Sequence, residues 1–440
     1  MRGGPVSQAT IYPGALSGEV PAIASKSYAH RLLILAALAD APTEIACDTT
    51  SADIEATASC LRSLGATVVR THHGFRVTPL PREGCVPRAR AGAQLDCGES
   101  GSTLRFMLPV VAALGRGASL TGHGRLAKRP LSPLYEELQA HGATLSPQGE
   151  FPLEVSGALW PGRFWLPGNV SSQYVTGLLL AGAALGSPMD IFVSEPVESR
   201  GYIDVTMDTL ASFGVPVEAS KVEASVGPCL RLSLPGQTPA TPGEVEVEGY
   251  WSNAAFWLAA GALSPEGCTV TGLNLSSRQG DRAALVALAI LGARIRQSGG
   301  SAGASLTQLR GRTVDVSGIP DLVPPLAAVA AYASGTTTFT GAGRLRLKES
   351  NRLETIRAAI VGMGGWAEVD GDVLVVQGRR LSGGVVDAAN DHRIAMMAAV
   401  AATQATGPTT IRDSGCVAKS YPAFFADFAR LGGHVEESED

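Results

Sequence analysis

Aromatic side chains make up only 5% of this sequence and charged ones only 17%, and no stretch approaches the ~18 consecutive apolar residues that a membrane span requires. A chain that is 45% hydrophobic yet poor in aromatics, with 52 glycines, fills its cores with aliphatic side chains and close backbone approach. That suits layered α/β structure. Between Met1 and Val20 there is no basic segment followed by an apolar run, so neither a leader nor a membrane anchor is expected. Positive charge is also scarce: 35 Lys and Arg against 40 Asp and Glu give a net charge of −5. Binding a phosphodiester backbone needs a broad basic surface, so nucleic acid is not an expected partner. The seven cysteines (Cys47, Cys60, Cys85, Cys97, Cys229, Cys268 and Cys416) are odd in number, scattered and without a C-x-x-C pair. They point to a reduced, cytoplasmic compartment rather than a disulfide framework. The seven histidines form no ligand-spaced cluster with cysteines or carboxylates, so no metal is expected.

At 440 residues the chain exceeds what one hydrophobic core usually supports, and two domains are expected. Internal similarity is the strongest feature. Six times an amphipathic helical pattern ends in a large residue, apolar in every copy but one, a glycine and a strand-like run: LRSLGATVV at Gly65, LQAHGATLS at Gly142, LASFGVPVE at Gly214, LAILGARIR at Gly292, VGMGGWAEV at Gly364 and FARLGGHVEE at Gly432. Successive glycines lie roughly 68 to 78 residues apart, close to a sixth of the chain. Each stands where a helix C-terminus takes a left-handed residue, and the alternation that follows suits a strand with one buried face. Any α/β protein has some such junctions, but regular spacing argues for six related α/β units.

Candidate chemistry sits at predicted helix starts. In ASKSYAHRLL, Ser25 or Ser27 caps a helix whose first turns carry Lys26 and Arg31. Cations there oppose the helix dipole, and a bound anion would relieve the conflict; the plain alternative is a capped, solvated helix. LDCGESGSTLRF places Gly98, Glu99, Ser100, Gly101, Ser102 and Thr103 ahead of a helix carrying Arg105. Its spacing fits neither the nucleotide P-loop nor the dinucleotide fingerprint. GNVSSQYV sets Ser171, Ser172 and Gln173 before an apolar helix as uncharged donors, or as ordinary capping residues. SRGYID adds Ser199 and Tyr202, and AKRPLSP places Arg129 before a helix expected to start at Pro130.

The C-terminal half carries sharper combinations: IPDLVPP with Asp321, KESNR with Lys348, Glu349 and Arg352, NDHR with Asp391, His392 and Arg393, and AKSYP with Lys419. Taken singly, KESNR reads as a solvated charge run, and His392 reads as a cap or packing residue as readily as a catalyst. Pooled, the cations exceed what one monoanion needs, which points to two polyanionic substrates. Residue chemistry alone leads to a two-domain, cofactor-free enzyme with Asp321 and Glu349 available for proton transfer among many positive charges.

KSYAHR, GESGSTLR, KRP, SSQ, SRGYID, IPD, KESNR, NDHR and AKSYP occur here in the order found in the 5-enolpyruvylshikimate 3-phosphate synthase family, and the sequence resembles that family from about residue 10 to 430. The resemblance implies two domains, residues 1–24 with 247–440 and residues 25–246. Each is built of three βαβαββ-like repeats, an inside-out α/β barrel, with the active site in the cleft between the domains. It implies transfer of the enolpyruvyl group of phosphoenolpyruvate to the 5-hydroxyl of shikimate 3-phosphate through a tetrahedral intermediate, without cofactor, by a cytoplasmic monomer. Carried over by motif, Lys26, Ser27, Arg31, Ser171, Ser172, Gln173, Ser199, Tyr202, Asp321 and Lys348 would contact shikimate 3-phosphate. Lys26, Gly101, Arg129, Gln173, Arg352, Arg393 and Lys419 would hold phosphoenolpyruvate. Asp321 would accept the hydroxyl proton, and Glu349 or Lys26 would donate to carbon. Glu99, Arg105, Asp391 and His392 would support them. Glyphosate would compete for the phosphoenolpyruvate site, where Gly101 leaves it room.

Two positions depart from the family pattern. Glu99 stands where Asn is frequent, which alters the charge beside Gly101. Tyr250 stands where Asp is common, which removes a candidate helix cap. Rival readings are a related transferase acting on UDP-N-acetylglucosamine and a catalytically silent binding protein of the same fold. Ser27 after Lys26, where the former has Asn, and HGRLAKRP in place of its cysteine loop speak against the first. Retention of both carboxylates and every cation speaks against the second.

Overall fold

A computed structural model describes residues 7–84 and 86–439; residues 1–6 and 440 and Cys85 lie outside this range. The chain forms two compact units, one of Ala24–Val247 and the other of Met1–Ile23 with Glu248–Asp440. Each has its own aliphatic core. Among the described residues, no helix is long and apolar enough to cross a membrane. The six described cysteines are buried free thiols.

Unit 24–247 contains helices α1 (Lys26–Leu38), α2 (Ala52–Leu64), α3 (Gly101–Leu114), α4 (Leu134–Ala140), α5 (Ser172–Leu185) and α6 (Arg200–Ser212). The other unit contains α7 (Trp251–Ala262), α8 (Ala284–Ile290), α9 (Val323–Ala330), α10 (Arg352–Gly362), α11 (His392–Ala402) and α12 (Phe424–Arg430). The odd-numbered helices are apolar nearly all round and almost wholly buried, whereas the even-numbered ones bury one stripe. Apolar residues on every face leave a helix no position but the middle of a core.

Among the described residues, six four-stranded sheets, three per unit, share one plan: a parallel pair followed by two antiparallel strands. In unit 24–247, strand Ala93–Asp96 pairs in parallel with Ala118–Thr121 across α3, and Leu153–Gly157 and Ala143–Leu145 follow antiparallel. Strand Arg163–Pro167 and strand Pro188–Ser194 repeat this across α5. In the other unit, Thr313–Asp315 with Thr336–Thr340 and Gly384–Asp387 with Thr409–Arg412 do the same across α9 and α11. The two remaining sheets each borrow a strand from far along the chain. Glu244–Glu246 pairs with Thr43–Ala46, and Gly18–Pro21 pairs with Cys268–Thr271. Parallel neighbours need a helical crossover, and here α1 and α7 stand where the missing crossovers belong. Strand Ser7–Tyr12 completes the last sheet between Thr409–Arg412 and His434–Glu439.

The six glycines that mark the repeat, Gly65, Gly142, Gly214, Gly292, Gly364 and Gly432, all have positive φ. Each follows an even-numbered helix and precedes an outer antiparallel strand, as the pattern predicts. One correction concerns the start of α4: it begins at Leu134, not at Pro130. A helix opened by Pro130 would carry Pro133 in its first full turn, where the ring removes an N–H and crowds the preceding carbonyl. The segment before it is instead a short 3-10 turn, Leu126–Lys128, with Arg129 at its end.

Candidate active site

The candidate residues cluster at one place in the shared plan, the carboxyl ends of the parallel strands. After the first strand of a pair come Gly98–Gly101, Ser171–Gln173, Asp321, and Asp391 with Arg393, each opening a buried helix. After the second come Arg129, Ser199, Lys348 with Arg352, and Lys419. Open α/β sheets bind ligands beyond these strand ends, where helix N-termini point their N–H groups outward. The two units are described in turn.

In unit 24–247, Lys26 opens α1 after Ser25, whose side chain makes no capping bond. Lys26 Nζ reaches Asp53 Oδ2 at 2.9 Å, so the cation at the helix start is balanced from the first turn of α2. Arg31 is buried and turned inward: Nε donates to Thr206 Oγ1 at 2.8 Å, Nη2 to Thr176 Oγ1 and the Tyr202 carbonyl at 3.1 Å, and Nη1 to the Ser27 carbonyl. It fastens α1 to α5 and α6. Between the two cations, His30 is fully buried; burial first, then Lys26 and Arg31, push its imidazole well below the ordinary value and keep it neutral.

Ser100 caps α3, accepting from the Thr103 N–H at 3.1 Å. Gly101 is packed beneath Arg129: a Cβ there would lie 2.5 to 2.8 Å from the guanidinium atoms. Glu99 lies against Gly124, where an added Cβ would stand 2.8 Å from Glu99 Oε2. Ser171 caps α5 through the Gln173 N–H at 3.3 Å, so Ser172 and Gln173 belong to its first turn. Gln173 Oε1 accepts from Arg105 Nη1 at 2.7 Å, and its Nε2 donates to Ser102 Oγ at 3.0 Å. Ser199 holds a left-handed φ of 54° before α6, a conformation costing a serine roughly 1–3 kcal/mol and kept only where the surroundings impose it.

In the other unit, Arg352 is the hub. Its side chain is only 1% exposed, and its fork meets three carboxylates: Asp321 Oδ1 at 2.8 Å, Glu349 Oε2 at 2.5 Å, and Asp391 at 2.8 and 3.2 Å. Asp391 also caps α11 through the Arg393 N–H at 3.1 Å and accepts from Ser350 Oγ at 2.9 Å. Lys348 Nζ donates to Asp321 Oδ1 at 3.0 Å, and Arg393 donates to the Asp321 carbonyl at 3.3 Å. Burial alone would raise the Asp321 carboxyl, but Arg393, Lys348 and Arg352 together hold it well below the usual carboxylate range. Burial lowers the Lys348 ammonium, with Asp321 opposing that shift. Lys419 Nζ donates to the Asn390 carbonyl at 2.7 Å, in a turn where Ala389 and Asn390 both have positive φ. His392, the first residue of α11, is buried beside this group. KESNR is therefore no solvated charge run: its arginine is at the centre of the unit's charge network.

The structure adds partners that sequence reasoning missed. Asp53, Thr176 and Thr206 each hold a predicted residue, and none carries a signal beyond an ordinary polar residue in a helical turn; Ser102 and Ser350, inside two of the quoted motifs, hold Gln173 and Asp391. At Tyr250, the cap that an aspartate would give is supplied from outside: Gln279 Oε1 accepts from the Trp251 N–H at 3.2 Å, while its Nε2 donates to the Gly249 carbonyl at 2.9 Å.

The family model described as EPSP synthase (3-phosphoshikimate 1-carboxyvinyltransferase) matches residues 11–428. A protein of Clostridium kluyveri named 3-phosphoshikimate 1-carboxyvinyltransferase is 36% identical over 430 residues, covering 97% of this chain and 98% of its own. The solved structure of EPSP synthase from Acinetobacter baumannii superposes with a TM-score of 0.78 at 25% identity, covering 98% of this chain and 100% of that one. The enolpyruvyl transferase NikO from Streptomyces tendae shares the fold, with a TM-score of 0.76 at 18% identity and full coverage of both chains.

Proposed function

Because this chain belongs to the EPSP synthase (3-phosphoshikimate 1-carboxyvinyltransferase) family, we propose that Arg352 is the switch that arms its two acid–base carboxylates. The enzyme transfers the enolpyruvyl group of phosphoenolpyruvate to shikimate 3-phosphate and releases phosphate, a step of the shikimate pathway. The observation that carries the mechanism is that Asp321 and Glu349 share one buried guanidinium with Asp391.

In the free protein the surrounding cations keep Asp321 ionised and weakly basic. A phosphoenolpyruvate carboxylate pairing with Arg352 and Arg393 draws their charge away from Asp321 and Glu349. Both carboxylates then gain proton affinity, as any carboxylate does when a neighbouring cation is neutralised. Asp321 becomes a competent base for the 5-hydroxyl of shikimate 3-phosphate. Glu349 becomes able to carry the proton delivered to the methylene carbon, with Lys26 as the other donor.

Addition of the hydroxyl oxygen to the adjacent carbon gives a tetrahedral intermediate. Loss of phosphate and of a proton from the new methyl group then forms the enol ether product. Lys419 and Arg129 meet the departing phosphate, where developing charge is greatest. Ser27, Ser171, Ser172, Gln173, Ser199, Tyr202 and Lys348 hold shikimate 3-phosphate. Arg31, whose donors are spent inside its own unit, acts on that substrate mainly by setting Ser27 and Tyr202.

The enzyme works as a cytoplasmic monomer. Light scattering that returned the mass of two chains would remove the monomer assignment. The activity is tested by mixing pure protein with both substrates and following inorganic phosphate, then repeating with UDP-N-acetylglucosamine as acceptor. Phosphate release only with the sugar nucleotide, or with neither acceptor, would overturn the reading.

A further inference from the structure

We infer that Arg105 is a positioning residue that fixes which end of the Gln173 side-chain amide faces the substrates. The inference rests on Gln173 serving the substrate site and adds how its chemistry is set. A primary amide presents two donors at one end and an acceptor at the other, and a half-turn exchanges them at little cost. Both proposed substrates carry phosphate and carboxylate oxygens, which accept hydrogen bonds. Gln173 serves those anionic oxygens in only one of its two orientations.

Arg105 resolves the choice because a guanidinium has five donors and no acceptor. Its Nη1 meets the Gln173 amide at 2.7 Å, and only an oxygen can stand there. The Nε2 end is thereby turned the other way, where one N–H goes to Ser102 Oγ at 3.0 Å and the other has no protein partner among the described residues. The guanidinium cannot follow the amide if it turns. Nη2 is pinned to the Pro130 carbonyl at 2.9 Å, the charge lies 5.4 Å from the Tyr174 ring centroid, and the Tyr174 hydroxyl donates to the same carbonyl at 2.7 Å. The helix behind it is fixed as well. Gly177 of α5 leaves so little space that a Cβ would stand 2.3 Å from the Arg105 carbonyl oxygen. That oxygen faces Pro109, which has no N–H to offer it four residues on.

Without Arg105, the amide oxygen loses its charge-assisted donor, and the orientation that offers N–H to anions becomes a minor population. Apparent affinity falls by that fraction.

The test is a kinetic double-mutant cycle with Arg105→Met, Gln173→Leu and the double variant, with Arg105→Lys as the conservative control. Arg105→Met should raise KM for phosphoenolpyruvate roughly tenfold while kcat changes less than about threefold, and Arg105→Lys should recover part of the loss. In the Gln173→Leu background the same change should shrink below about threefold, because the group it positions is gone. An Arg105→Met effect of equal size in both backgrounds, or one that appears in the melting temperature and kcat but not in KM, would overturn the inference. A wild-type protein that releases no phosphate from these substrates would instead remove the functional reading beneath it.

Discussion

Replacing Asp391 by alanine removes at one stroke two hydrogen bonds from Arg352 at 2.8 and 3.2 Å, one from Ser350 at 2.9 Å and the cap of α11 at 3.1 Å. The Asp391 side chain has no solvent exposure and that of Arg352 has 1%, so water cannot replace what is lost. Removing one partner of such a buried pair costs about 3–5 kcal/mol, and losing a cap about 1 kcal/mol. The two do not add, because they share the same oxygens. Arg352 also keeps Asp321 and Glu349, which sets the total at about 3–5 kcal/mol. For a unit of this size, that lowers the melting temperature on the order of 10 °C. Asp391→Asn keeps an oxygen for the Arg393 N–H, but besides the charge it loses the acceptor for Arg352 Nε, because its NH2 end can only donate; the cost should be about 1.5–3 kcal/mol, less than that of alanine. Urea unfolding followed through the buried Trp251 and Trp257 reads both variants in this unit. An Asp391→Ala protein within about 1 kcal/mol of wild type, or an Asn variant as unstable as the Ala variant, would refute the reasoning.

Gly101→Ala places a methyl group 2.5 to 2.8 Å from the Arg129 guanidinium. The guanidinium can swing aside, so folding should survive while KM for phosphoenolpyruvate rises about tenfold, roughly 1.4 kcal/mol, and glyphosate inhibition weakens. An unchanged KM would show that Arg129 does not aim at that substrate. The Asp321 carboxyl lies below its ordinary 3.8 in the folded protein. Its stabilising contribution is therefore present above about pH 4 and is lost as pH falls through the lower folded value. The urea midpoint of wild type should drop more steeply below about pH 4 than that of Asp321→Asn; parallel curves would contradict this. Gln279→Ala removes the acceptor at the start of α7 and two donated bonds and should cost about 1–2 kcal/mol in the same urea assay. No loss would mean that another group caps the helix.

The six-fold repeat, the helix-ending glycines and the order of the nine motifs are local properties of the sequence. A left-handed residue after a helix and an apolar period are set by neighbours a few positions away, so Gly65 or Gly432 can be read without a structure. Lys26 and Asp321 stood out for the same reason, as charges placed where a helix start or an apolar segment gives them no local excuse.

What the sequence could not decide is which distant groups those charges meet. Nothing near Arg31 announces that Thr176 and Thr206 will consume its donors, and nothing near Arg352 separates a solvated run from a buried hub. Nor does Tyr250 reveal that Gln279 caps its helix. Such pairings depend on which strand ends the parallel crossovers bring side by side, and three of the sheets recruit a strand from more than 190 residues away. Local patterning determined the units and their polar starts; long-range strand pairing alone decided the partners, because a hydrogen bond between helix starts depends on the distance between them in space and not along the chain.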